Sequence, residues 1–394
     1  MNPPLVNLSP LGGLLLLAAS LALLPLLWIG LRRRGVALPG RLAALTGVAL
    51  FLTFDLIVVG AYTRLSDSGL GCPDWPGCYG QAHPWAAGAE IVTAQAVLPD
   101  GPVTVAKAWT EMLHRYLAMV VGALILVLAL LSWAARRHLP HSWLWPAASL
   151  VWVLVQGAFG RYTVTLKLYP AIVTLHLLGA LVLLGLLVVQ HESYGRADGR
   201  AVLDLSPGLR RWLLPALALL LLQIGLGGWV SSNYAVLACQ GFPQCNGAWW
   251  PASAADAEAG FTLLRELGRG ASGDYLPASA LVAIQLAHRA MAGGLSLALL
   301  GLVGALLNQG GRARSYGLAL LGLLALQLAS GIGNVVLQWP LAGALLHSGG
   351  SAALLALLLI LHRRSAPVLP AESRPAVPRP AATSADTLRP EGLR

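Results

Sequence analysis

Two short stretches carry ionisable side chains at the mouths of long apolar runs: Glu111-Met112-Leu113-His114-Arg115 and Gln285-Leu286-Ala287-His288-Arg289. Each puts a histidine and an arginine at a membrane boundary, where ionisable groups are expensive and are functional candidates by default. A second histidine follows each stretch, His176 and His347. Imidazoles paired across neighbouring helices are the usual way a bundle holds haem iron, so His114 with His176 and His288 with His347 read as two metal-binding pairs. A membrane histidine taken singly is more often hydrogen-bonded between helices; four at equivalent positions reverse that preference. Zinc competes, but no third or fourth ligand stands at matching depth in both copies. Gly122, Gly179, Gly293 and Gly350 would leave room for a flat macrocycle, although helix packing is the commoner role of such residues. His83, His138, His141, His191 and His362 sit in loops or at helix ends and read as surface residues.

Arg115 and Arg289 follow the ligand candidates directly and can pair with the propionates of a haem; snorkelling to lipid phosphates is the plainer alternative. Arg64, opening the first long loop, has the same two readings. Glu111 lies three residues before His114, on the same helix face. A carboxylate there also complements the helix dipole, but its partner in the other copy is Gln285, so only one pocket has a group suited to proton transfer. The residues therefore point to a reactive first pocket and an electron-carrying second one. Cys72 with Cys78, and Cys239 with Cys245, can each close a short loop over a pocket; a structural disulfide is favoured over a redox-active pair.

The elements that must position these groups are transmembrane helices. The 394-residue chain is 57% hydrophobic and 11% charged, and its mean hydropathy is +0.69, far from the roughly 25% charged average of soluble domains. A net charge of +10 suits basic membrane loops, and no basic run interleaves with aromatics as a nucleic-acid binder would need. About 20 apolar residues cross the hydrocarbon core, and nine stretches qualify: 12 to 31, 42 to 62, 112 to 134, 143 to 162, 171 to 190, 212 to 231, 281 to 306, 315 to 337 and 341 to 361. Arginines crowd alternate loops, at Arg32 to Arg34, Arg41, Arg136, Arg137, Arg196, Arg200, Arg210, Arg211, Arg312, Arg314, Arg363 and Arg364. These mark the cytoplasmic side. The N-terminus is then outside, the C-terminus inside, and both cysteine pairs face the oxidising side.

A four-helix unit occurs twice. Glycines, cysteines and a proline of the segment 60 to 80 recur 167 residues later, and Gln156, Pro170 and His176 answer to Gln327, Pro340 and His347. An even helix number gives both copies one orientation. The expected architecture is an all-α, polytopic membrane protein of nine transmembrane helices, with one extra N-terminal helix before two pseudo-symmetric four-helix bundles. Its divisions are 1–35 for the extra helix, 36–200 for the first pocket, 201–364 for the second, and 365–394 for a disordered cytoplasmic tail rich in Pro and Ala.

The motifs Thr63-Arg64-Leu65-Ser66-Asp67-Ser68-Gly69-Leu70 with Cys72-Pro73-Asp74-Trp75-Pro76, Glu111 to Arg115, His176, Gly228-Trp229-Val230-Ser231-Ser232-Asn233, His288-Arg289 and His347 together resemble the haem A synthase family of cytochrome oxidase assembly, over roughly residues 42 to 361. The resemblance implies an eight-helix core in a bacterial-type inner membrane. It implies haem b held by His288 and His347 beside Arg289, and haem O as the iron-containing substrate at His114 and His176, with Arg115 and Arg64 as substrate-binding residues. Glu111 matches the family's essential carboxylate. The implied reaction oxidises a porphyrin methyl to a formyl group through an alcohol and a hydrated aldehyde. It leaves room for delivery of haem O by a haem O synthase and for an electron acceptor of unidentified kind. The competing classes are a diheme b-type electron carrier and a haem-transfer protein.

Overall fold

The computed structural model describes residues 5–137, 139, 142–197, 202–249, 254–270 and 272–365. His138, His141, Arg200 and all of the expected tail except Ser365 lie outside them. The described chain forms eleven α-helices: α1 (Leu11–Arg32), α2 (Leu38–Leu65), α3 (Gly88–Val97), α4 (Val105–Ala134), α5 (Leu144–Thr165), α6 (Pro170–Ala197), α7 (Pro207–Ser232), α8 (Ala254–Phe261), α9 (Ala278–Gln309), α10 (Gly311–Val336) and α11 (Leu341–Arg364).

Among the described residues, eight helices are long and apolar enough to cross a membrane: α1, α2, α4, α6, α7, α9, α10 and α11. Helix α5 covers the expected stretch 143 to 162 and is 22 residues long, yet falls outside those eight. Its sequence carries Gln156, Arg161, Trp145, Trp152, Tyr162 and two glycines, which dilute its apolar content. It packs between α4 and α6.

Helix starts follow from local chemistry. Proline, whose missing N–H is harmless in a first turn, opens α2, α6 and α7. Thr104 caps α4 by accepting from the Lys107 N–H, and Ser206 caps α7. The α5–α6 and α10–α11 links are tight because two successive residues turn left-handed in each, Lys167-Leu168 and Gln338-Trp339. Left-handed residues also recur at Asp67 and Tyr234 and at Tyr79 and Asn246, and cis peptides at Trp75-Pro76 and Phe242-Pro243.

Helix α6 packs against α7 and α11, and α11 also against α2. The largest core runs through Leu181, Leu184, Leu213, Leu299, Leu320 and Leu358, drawn from both halves of the chain. At one end of α6 and α11, Arg364 grips the Glu192 carboxylate through two bonds of 2.8 and 2.9 Å, and Arg363 donates to Ser193.

The N-terminal segment reaches into the first long loop. Val6–Asn7 pairs in parallel with Trp75–Pro76, and Ser9 donates to the Gly80 carbonyl at 3.1 Å. Leu14 is fully buried beside Cys72, Cys78, Ile91, Met112 and Tyr116. The loops also contain α3 and α8, which the apolar pattern does not announce. Leu14→Ala removes the anchor of α1 at a closely packed site, where such truncations cost about 2–5 kcal/mol. Thermal unfolding in detergent is expected to show a clear drop in midpoint for it, and none for Leu15→Ala, whose side chain is 57% exposed.

Candidate haem-binding cavity

The four histidines that the repeat singles out all line one cavity of about 1330 Å³, together with Glu111, Arg115, Gln285, Arg289 and Arg64. Each imidazole lies against a glycine of a neighbouring helix. A Cβ on Gly60 of α2 would stand 3.0 Å from His114 Nε2, and one on Gly227 of α7 3.1 Å from His288 Cε1. The corresponding approach is 3.6 Å for Gly160 to His176 and 3.1 Å for Gly331 to His347. The glycines let helices approach while leaving a slot the thickness of a ring. Gly122 and Gly293 also line the cavity and face open space. Gly179 and Gly350 do something else: a Cβ at either would overlap the amide of Gln156 or Gln327.

The rings of His288 and His347 stand edge to face, nearly perpendicular at 80°, with centroids 6.4 Å apart. That separation leaves room between them for one metal ion at bonds of about 2 Å to each ring. Gln223 places its amide nitrogen 3.0 Å from His288 Nδ1, and Ser330 Oγ lies 3.1 Å from His347 Nδ1. Among the described residues no group of three or more His, Cys, Asp or Glu side chains is placed to hold a metal ion.

The arginines repeat one another closely. Arg115 Nη1 donates to the carbonyls of Asp74, Pro76 and Gly77; Arg289 Nη1 donates to those of Gly241, Pro243 and Gln244. Both loops are closed by disulfides, Cys72–Cys78 and Cys239–Cys245. In the first loop the Asp74 carboxylate, fully buried, accepts from the N–H groups of Tyr79 and Gly80 at 2.6 and 2.7 Å.

Beyond that shared frame the halves diverge. Glu111, 3% exposed, accepts from Arg115 Nη2 at 2.5 Å and from the Cys72 N–H at 2.8 Å. Gln285 holds its place in the second half with Oε1 buried and unpartnered, and Arg289 keeps Nε and Nη2 buried without partners. Unsatisfied guanidinium N–H groups beside paired imidazoles and a glycine-walled slot suit a haem, whose propionates would supply the missing acceptors.

Arg64 joins the halves. Its Nη2 donates to the Ser231 carbonyl at 2.5 Å, and its guanidinium stacks 3.9 Å over the Tyr234 ring. Tyr234 donates to Asp67 at 2.6 Å. Burial, with Asp67 adding to it against the opposing charge of Arg64, raises the phenol above its ordinary value.

The repeat in the sequence identifies the histidines and arginines but misses Gln223, Ser330 and the four ring-bearing glycines. The glycines carry a signal, since Gly60 and Gly227 share the 167 offset, but nothing in spacing says which ring each receives.

The family model described as cytochrome oxidase assembly protein, COX15-CtaA, matches residues 43–359. A haem A synthase of Shewanella oneidensis is 40% identical over 332 residues, 82% of this chain and 96% of the relative. Haem A synthases of Cereibacter sphaeroides and Caulobacter vibrioides are 30% and 29% identical over 82% and 77% of this chain, and 87% and 90% of their own.

The glycine slots have a direct test. Branched side chains at Gly227 or Gly331 must displace an imidazole, and overpacking of this kind costs about 1–3 kcal/mol, which is about 5- to 150-fold where it falls on binding. Gly227→Val and Gly331→Val are expected to lower the haem content of purified protein accordingly. Gly301→Ala, which meets open space, is expected to leave it unchanged.

Proposed function

The chain belongs to the COX15-CtaA family of cytochrome oxidase assembly proteins, and we propose that it acts as a haem A synthase, oxidising a methyl group of haem O to the formyl group of haem A. The observation that carries the reading is the one-sided carboxylate: two histidine pairs line one cavity, and only the first has Glu111 beside it. A pure electron carrier or a haem-transfer protein has no use for a carboxylate in one pocket alone.

We assign His114 and His176 to the substrate, with Arg115 and Arg64 at its polar edge, and His288, His347 and Arg289 to a resident haem b. Haem b, when bound, supplies one-electron transfer. Oxidising a methyl group breaks carbon–hydrogen bonds, and Glu111 is the group beside the first pocket that can take up and pass on a proton. Its two oxygens are fixed by different donors, Arg115 and the Cys72 N–H, so the side chain is already oriented before substrate arrives. The buried Asp74 supports that geometry by holding the turn of the same loop.

Helix α5 counts as a ninth span in this reading, because its position between α4 and α6 makes it the return crossing of the first bundle. The halves 36–200 and 201–364 are then pseudo-symmetric units behind the extra helix of 1–35. The arginine-rich loops and the tail from 365 are cytoplasmic, the N-terminus and both disulfide loops lie outside, and the membrane is the bacterial inner membrane. In this reading haem O would be delivered by a haem O synthase, the oxidation needs an electron acceptor of unassigned kind, and a haem held by His288 and His347 would supply electron transfer towards it.

Co-expression with a source of haem O, followed by haem extraction, tests the activity. Haem A is the expected product, whereas haem b alone in both pockets overturns the reading in favour of an electron carrier. Glu111→Gln is expected to keep haem b and leave haem O unconverted; a normal yield of haem A removes Glu111 from the chemistry. His288→Ala or His347→Ala is expected to lose the bis-histidine absorption spectrum of the resident haem.

A further inference from the structure

The two histidine pairs differ in what stands behind their rings. Ser330 donates its single hydroxyl hydrogen to the Leu326 carbonyl at 2.6 Å. At 3.1 Å from His347 Nδ1 its oxygen is therefore an acceptor, and the ring proton belongs on Nδ1. Gln223 reaches His288 Nδ1 at 3.0 Å, and its own Oε1 is buried without a partner. Turning that amide end over brings Oε1 to Nδ1, where it accepts the ring N–H. As placed, the amide nitrogen also lies 3.4 Å from His288 Nε2; with the amide turned, Nδ1 of each ring carries the proton and Nε2 is left free for a metal. A hydrogen bond from the non-ligating nitrogen fixes the ring's orientation and raises its basicity as a ligand.

The first half has no such support. Gln223 stands one helical turn before the ring-bearing Gly227, and Ser330 immediately before Gly331; the same steps before Gly60 and Gly160 lead to Leu56 and Phe159. Neither side chain can accept a hydrogen bond, and His176 Nδ1 is buried with no partner among the described residues. The substitutions fall on one side of an otherwise repeated frame, so they distinguish the pockets rather than the fold.

We infer that Gln223 and Ser330 are positioning residues that make the second pocket retain its haem, and that Leu56 and Phe159 leave the first pocket free to exchange its ligand. This rests on the assignment of the resident haem to His288 and His347. It accounts for how one cavity serves a group that must stay and another that must leave as product.

The test uses the purified, haem-loaded protein, mixed with excess apomyoglobin as acceptor, with loss of the bis-histidine spectrum followed over time. Removing such supporting partners typically weakens metal binding by about 10–100-fold. Ser330→Ala and Gln223→Leu are each expected to speed haem loss by that order and to shift the reduction potential of the haem. Ser330→Thr, which keeps the hydroxyl, is expected to stay close to the parent protein in both. Because Ser330→Ala deletes a single oxygen, it separates the effect from a folding defect. Loss rates and potentials equal to the parent's in both variants overturn the inference. A bis-histidine spectrum that survives both His288→Ala and His347→Ala removes instead the assignment beneath it.

Discussion

An imidazole ring between two membrane helices needs a neighbour with no side chain, and this requirement shapes the whole bundle. Gly60, Gly160, Gly227 and Gly331 each accept one ring, so the helices can stand close without closing the cavity. Since lipid offers no hydrophobic drive for helices to associate, packing over small residues must supply much of the cohesion. The same glycines therefore hold the helices together and keep the space between them open. At the loop end the arginines complete the frame, each collecting three carbonyls from a disulfide-closed loop.

On this shared frame, function is written in differences. Glu111 against Gln285 gives one pocket a buried carboxylate where the other has an amide. Gln223 against Leu56 and Ser330 against Phe159 put polar partners beside the rings of the other pocket. The N-terminal strand and Leu14 reinforce the first loop alone, so the half assigned to chemistry has an extra brace where Glu111 takes its hydrogen bond from Cys72.

Much of this was legible in the sequence because duplication repeats what both halves need. His114, His176, His288, His347, Arg115 and Arg289 stand out by offset, and the long apolar runs locate their helices. The count of spans was less secure at α5, where Gln156, Arg161 and Tyr162 line the cavity and dilute the apolar signal. Gln223 and Ser330 were illegible for the opposite reason: they break the repeat, and a lone polar residue in an apolar helix ordinarily reads as packing. The pairing of Val6 with Trp75 and the reach of Arg64 to Ser231 join distant segments by backbone groups, which leave no trace in side-chain pattern.

The contacts of Arg64 and Tyr234 carry a further meaning. Arg64 meets Ser231, and Asp67 meets Tyr234, and in both contacts the two partners are 167 residues apart, the spacing of the internal repeat itself. Each residue thus touches its own counterpart, which is the pattern of an isologous dimer interface, here contained within one chain. In a true homodimer any substitution appears twice, so a carboxylate gained in one pocket would also enter the other. Joining the copies in one polypeptide lifts that restriction: each half can mutate alone, and one ancestral site can become two with separate duties.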